Sequence, residues 1–166
     1  MRMLTSSPRR GISRRRLLRG FSLMELLIVV AILMIIGAVA VPKINIALMS
    51  AKESAAVREL HNLITAQTQY MSSYGRYAQS MPELGPPSSG QASATASDLI
   101  SGEMAKGEKN GYKYSLQASP QGYAFVAVPT QFGSTGRYTF YVDASGVIRR
   151  NAGAEPATAQ SPELKN

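Results

Sequence analysis

The chain has 166 residues, with 18 Lys and Arg against 10 Asp and Glu and a formal net charge of +8. It has no cysteine and one histidine, which excludes a disulfide framework and a thiolate metal site. The basic excess is local: Arg2, Arg9, Arg10, Arg14, Arg15, Arg16 and Arg19 all precede Phe21, and removing these 7 leaves 11 basic residues against 10 acidic, a balance of +1. The charge therefore reads as an N-terminal orientation signal of the positive-inside kind. It does not argue for a nucleic-acid surface.

Residues 1–20 read as a cytoplasmic leader, basic and without a packing pattern. Residues 21–41 form an apolar helix whose one charge is Glu25. At ~1.5 Å per residue this segment reaches across a bilayer core of ~30 Å. An ionised carboxylate in hydrocarbon costs ~2.5–3.5 kcal/mol or more, so Glu25 marks a functional position. Gly37 and Pro42, near the far end, predict a kink or local opening, because proline removes a backbone hydrogen bond.

Helical patterning continues over residues 42–74 as an amphipathic stripe. Leu48, Ala51, Ala55, Leu60, Leu63, Gln67, Tyr70 and Tyr74 form the apolar side, with Lys52, Glu53, Arg58, Glu59 and Asn62 to the flanks. A helix from Phe21 to Tyr74 is ~80 Å long. The residues that follow are too few to cover it, so its first half needs cover from outside the fold. Residues 75–110 read as a loop region with one short helix around Ser97 to Lys106. From Gly111 the period changes to two, and residues 111–150 read as an antiparallel β-meander. Its strands are expected at Tyr112–Ala118, Tyr123–Val128, Arg137–Val142 and Val147–Arg150, with a turn at Ser119–Pro120–Gln121–Gly122. Residues 151–166 have the composition of a disordered tail. The fold class expected is α+β, a long N-terminal helix packed on a small antiparallel meander.

Gly20-Phe21-Ser22-Leu23-Met24-Glu25-Leu26-Leu27-Ile28-Val29-Val30 closely resembles the processing signal of type IV pilins and of type II secretion pseudopilins. The matching features are a basic leader ending in Gly, then Phe, then Glu four residues later, then an apolar span. The helix-then-meander order is similar to that family as well. The resemblance implies that a prepilin peptidase cuts between Gly20 and Phe21 and that the new amine of Phe21 is N-methylated. It further implies that the subunit passes from the inner membrane, at an assembly platform, into a homo- or hetero-polymer of pilin-like subunits. In that family Glu25 would neutralise the Phe21 amine of a neighbouring subunit during assembly. Before assembly the partner is the lipid bilayer, with the N-terminus cytoplasmic. The cysteine pair that staples the C-terminal region of many pilins is missing.

Two other readings compete. Ser13-Arg14-Arg15-Arg16-Leu17-Leu18-Arg19 is similar to a twin-arginine export motif, with Ala38-Val39-Ala40 as a cleavage site before Val41, which would yield an exported, non-polymerising binding domain. The other is a simple single-span anchor. Neither gives Glu25 a purpose. Enzyme activity, a cofactor and a resident metal are not expected. His61 reads as a surface or packing residue. Gly102 to Gly107 has a phosphate-loop gap, but Glu108 stands where Lys is required. Asp143, Ser145 and Gly146 read as a turn, one carboxylate being too few for calcium. Lys106, Lys109 and Lys113, with Arg149 and Arg150, read as solvated charge, and nucleic acid is not an expected partner.

Overall fold

The computed structural model describes residues 20–119 and 122–165. The expected leader lies outside the described residues apart from Gly20, as do Pro120 and Gln121 of the expected turn. The chain divides into two units, one ending at Val39 and one beginning at Ala40. Helix α1, Leu23–Tyr74, supplies residues to both.

In the first unit every large apolar side chain of α1 is exposed, from Leu23 at 78% to Val30 at 42%. Among the described residues none covers them. A helix is the conformation that leaves such a segment stable in hydrocarbon, because it satisfies each backbone N–H and C=O internally. The helix runs without interruption through Gly37 and Pro42. Pro42 has no N–H to donate, so the Ala38 carbonyl lacks its helical partner.

In the second unit α1 buries one stripe: Glu53, Ala56, Leu60, Leu63, Gln67 and Tyr70, with half-buried Tyr74 next in line. Their spacing alternates three and four, the repeat that holds one face of a helix against a partner. The stripe agrees with expectation from Leu60 onward and departs from it before. Leu48 and Ala51 are exposed and Ala55 is only half-buried, while Glu53, expected on the flank, is buried. The alternating phase runs through 53 and 56, and Ala51 and Ala55 fall off that line.

The stripe packs on a five-stranded antiparallel sheet whose neighbours follow chain order. The strands are β1 (Glu108–Lys109), β2 (Tyr112–Ser119), β3 (Gly122–Pro129), β4 (Thr139–Asp143) and β5 (Arg149–Asn151). Register alternates bulk with small side chains. Ala127 of β3 lies between Tyr114 of β2 and Phe140 of β4, while Phe125 faces Leu116 and Val142. Cross-strand pairs of this kind are the stabilising unit of a sheet. Strand β3 is central and buried on both faces, with Tyr123, Phe125 and Ala127 in the core and Ala124 and Val126 on the other side.

The region expected to be mostly loop carries two single-turn helices and the first strand. Helix α2 is Met81–Leu84, and helix α3 is Gly102–Ala105, inside the expected short helix. The hydroxyl of Ser101 caps α3 by accepting from Met104 N at 3.3 Å.

The expected disordered tail is instead folded. Asn151 belongs to β5, Ala157 is buried, and the chain returns along the open edge of β5. There Arg150 N donates to the Pro162 carbonyl at 2.9 Å and Leu164 N to the Ile148 carbonyl at 2.8 Å. Leu164 packs against the core. Low hydrophobicity is a poor guide here, because backbone pairing at a sheet edge needs almost no apolar side chains.

Candidate functional site

The motif Gly20-Phe21-x-x-x-Glu25 sits at the start of α1. Gly20 and Phe21 precede the helix, and Phe21 is 77% exposed. The Ser22 carbonyl accepts the first helical bond, from Leu26 N at 3.1 Å. This makes Ser22 the N-cap and Glu25 the third helical residue. A carboxylate in the first turn is favourable, because the unpaired N–H groups there carry partial positive charge. Glu25 is the sole charged side chain between Arg19 and Lys43. A free amine at Phe21 would add a second positive charge at the same helix end, with one carboxylate to balance both.

Elsewhere the structure assigns structural roles to the residues weighed from sequence. His61 is exposed on α1. Asp143 Oδ1 accepts from Ser145 N at 2.9 Å, and hydrogen bonds from Ser145 hold its carboxyl below the usual range against the opposing effect of burial. Among the described residues no cluster of three His, Cys, Asp or Glu exists that could hold a metal. The lysine cluster is not a single free patch, because Lys109 Nζ pairs with Glu59 on α1 at 2.7 Å. Arg149 pairs with Glu163 at 3.2 Å, and Arg150 lies over the Tyr138 ring at 5.0 Å.

Three polar contacts between α1 and the rest of its unit were not foreseen. Glu53 Oε1 accepts from Arg137 N at 2.7 Å, and its other oxygen pairs with the Arg137 guanidinium at 3.3 Å. The buried Gln67 amide pairs with the Ala78 backbone in both directions, donating to the carbonyl at 3.1 Å and accepting from N–H at 2.9 Å. The Tyr70 hydroxyl and the Arg76 guanidinium both donate to Glu83 Oε2, at 2.9 and 2.8 Å. Burial, with the hydrogen bond to Glu83, pushes the Tyr70 hydroxyl up to about 12. Burial works to raise the Glu83 carboxyl, but the bonds from Arg76, Tyr70 and Gln79 N–H outweigh it and hold the group below its usual range. The only sequence signal for Glu53 was its place on the three-four step of the stripe.

Residues 15–41 match the family model described as the prokaryotic N-terminal methylation motif. The chain is also 42% identical over 67 residues to the type IV major pilin protein PilA of Myxococcus xanthus (strain DK1622). Both likenesses are to type IV pilins or to their N-terminal signal, and that family match is confined to the start of the chain. The likeness to that pilin spans 40% of this chain and only 30% of the relative's length. Residues 99–164 match a second family model, described as a protein of unknown function (DUF2950). That match takes in the folded tail through Leu164. No solved structure matches the chain. Its first helix, Leu23–Tyr74, is long and apolar enough in its N-terminal part to cross a membrane.

Proposed function

We propose that the chain is cut between Gly20 and Phe21, N-methylated at Phe21, and polymerised through α1 into a type IV pilus or a secretion pseudopilus. The observation that carries this reading is the bare apolar half of α1 with one carboxylate in its first turn. In the bilayer lipid covers that half; in the filament the helices of neighbouring pilin-like subunits replace it. Glu25 then serves as the register device, its carboxylate meeting the Phe21 amine of a neighbour in an apolar core. Removing one member of a buried pair costs ~3–5 kcal/mol, because the other charge stays desolvated. Gly37 and the Ala38 carbonyl freed by Pro42 are the place where the helix bends to fit. The prepilin peptidase and an inner-membrane assembly platform are the further partners. The likeness to a major pilin supports the pilus over the pseudopilus.

Mass spectrometry of the mature N-terminus tests the processing, with N-methylated Phe21 as the expected product. A chain starting at Val41, or one retaining its leader, overturns it. For assembly, Glu25→Ala is expected to be cleaved normally yet to give few filaments in sheared fractions seen by electron microscopy. Normal yield from that variant would remove Glu25 from the mechanism.

A further inference from the structure

The loop between β3 and β4 carries Phe132, which is 47% exposed; among the described residues no other large apolar side chain outside α1 and Phe21 is exposed. The loop does not expose this ring by being loose. Gly133 N donates to the Gly136 carbonyl at 2.9 Å, and Ser134 N and Thr135 N donate to the Gln131 carbonyl at 3.1 and 2.9 Å. The Thr135 hydroxyl closes the same turn, donating to the Gln131 carbonyl at 3.1 Å. A Cβ at Gly111 would stand 3.2 Å from Thr135 Cβ and 3.4 Å from Lys52 Cδ, so the loop, the start of β2 and α1 meet there.

A single exposed ring needs no explanation, but Phe132 is not isolated. Its neighbours Gly133 and Ser134 line a groove of 300 Å³ with Asn45, Leu48, Met49 and Lys52 of α1. At this level α1 has not yet become the buried stripe, and Ile44, Ile46 and Leu48 are all exposed. The charge is one-sided. Lys43 is exposed and Lys52 half-buried, and neither has an ion-pair partner among the described residues. Residues 26–52 and 130–136 contain no acid, and the nearby Arg137 is paired with Glu53.

Counted from Val41, where the apolar run ends, Asn45 lies ~6 Å and Leu48 ~10 Å farther along the helix. The polar layer on each side of a bilayer is ~5–8 Å deep beyond the hydrocarbon. With α1 spanning the bilayer, the groove opens at headgroup level. We propose that the loop 131–136 rests on the bilayer surface, Phe132 entering the headgroup layer beside α1 and Lys43 and Lys52 meeting lipid phosphates. That boundary layer takes apolar rings together with lysines whose stems lie along hydrocarbon and whose ammonium groups reach the phosphates. The bilayer is the occupant because the patch continues the surface of the span and its free charges are all positive. The inference rests on the bilayer step of the proposed function and adds to it a second contact, which orients the globular unit on the membrane before assembly.

The chain contains no cysteine, so a fluorescent probe on one introduced thiol reports without background. The full-length chain is reconstituted in vesicles of phosphatidylcholine and phosphatidylglycerol in equal parts, with a lipid spin-labelled at its headgroup as quencher. A probe at Ser134→Cys, exposed in the loop, is expected to be quenched severalfold more than one at Ala144→Cys, exposed at the opposite end of β4. Adding Phe132→Asp should bring the Ser134 probe down to the Ala144 level without moving the thermal midpoint, because the ring lies outside the core. Equal quenching at the two positions, or no effect of Phe132→Asp, overturns the contact. So does self-quenching at position 134 that rises with chain density in place of lipid quenching, which would make the groove an interface between copies. A probe at Val29→Cys separates this contact from the span. Quenched by lipid labelled deep in its acyl chains, it leaves the span standing when the loop contact fails. Unquenched there, it overturns the span and this contact with it.

Discussion

A side chain at position 136 has nowhere to go, because a Cβ built on Gly136 would lie 2.7 Å from Tyr112 Cζ and closer still to its hydroxyl. That hydroxyl donates to the Tyr138 carbonyl at 2.9 Å, fixing the loop before β4 to β2. Gly136→Ala is therefore expected to destabilise the globular unit by ~1–3 kcal/mol, the usual cost of overpacking. Urea unfolding of the mature chain in detergent micelles measures it. Glu83 gives a second test. Its folded carboxyl is held below the unfolded value of 4.5, so its contribution is fully present above that pH and is lost as pH falls through the folded value. Thermal stability should drop below pH 4.5, and Glu83→Gln should flatten that drop while lowering stability at neutral pH. At this scale Leu60, Leu63, Gln67 and Tyr70 were legible in the sequence because helical spacing alone decides which face they share. Glu53 was not, because its burial depends on Arg137, a partner distant in sequence that no local pattern reveals.

The elements themselves follow from period and punctuation. The apolar run, the stripe and the alternation from Tyr112 onward are legible in the order of residues, and the four strands expected lie within a few residues of their bounds, while β1 was not foreseen. What failed was the segment whose structure is lent by a neighbour. Residues 152–164 have no periodicity of their own and fold because β5 offers an edge with unpaired N–H and C=O groups. Such edges, left open, template pairing with other chains. Truncation after Gly153 is accordingly expected to uncover the β5 edge and the part of the core that Leu164 packs against. The measurable results are a lower midpoint in thermal unfolding and sheet-rich aggregates scored by light scattering. Leu164→Ala alone should cost ~1–2 kcal/mol, in keeping with a partly buried leucine. A truncated chain as stable and as monodisperse as the parent would show that the tail merely decorates the sheet.

At the scale of the whole molecule, the apolar side chains of α1 from Leu23 to Val39 are exposed among the described residues, so the stability of that segment is inseparable from whatever covers it. The globular unit holds its own core, into which its part of α1 is tied by the Glu53, Glu59 and Gln67 contacts. The folded tail carries a consequence in time. Residues 155–164 follow all five strands in the chain and so reach the fold after them. On the proposed route, a chain partway across the membrane would already have its helix and its meander, but would still lack the segment that closes β5 and seats Leu164. The interval before that segment arrives is when two emerging chains are most exposed to joining edge to edge. If the chain is exported and assembled as proposed, spacing between neighbouring chains during export would bear on assembly, independently of how well the finished subunits fit.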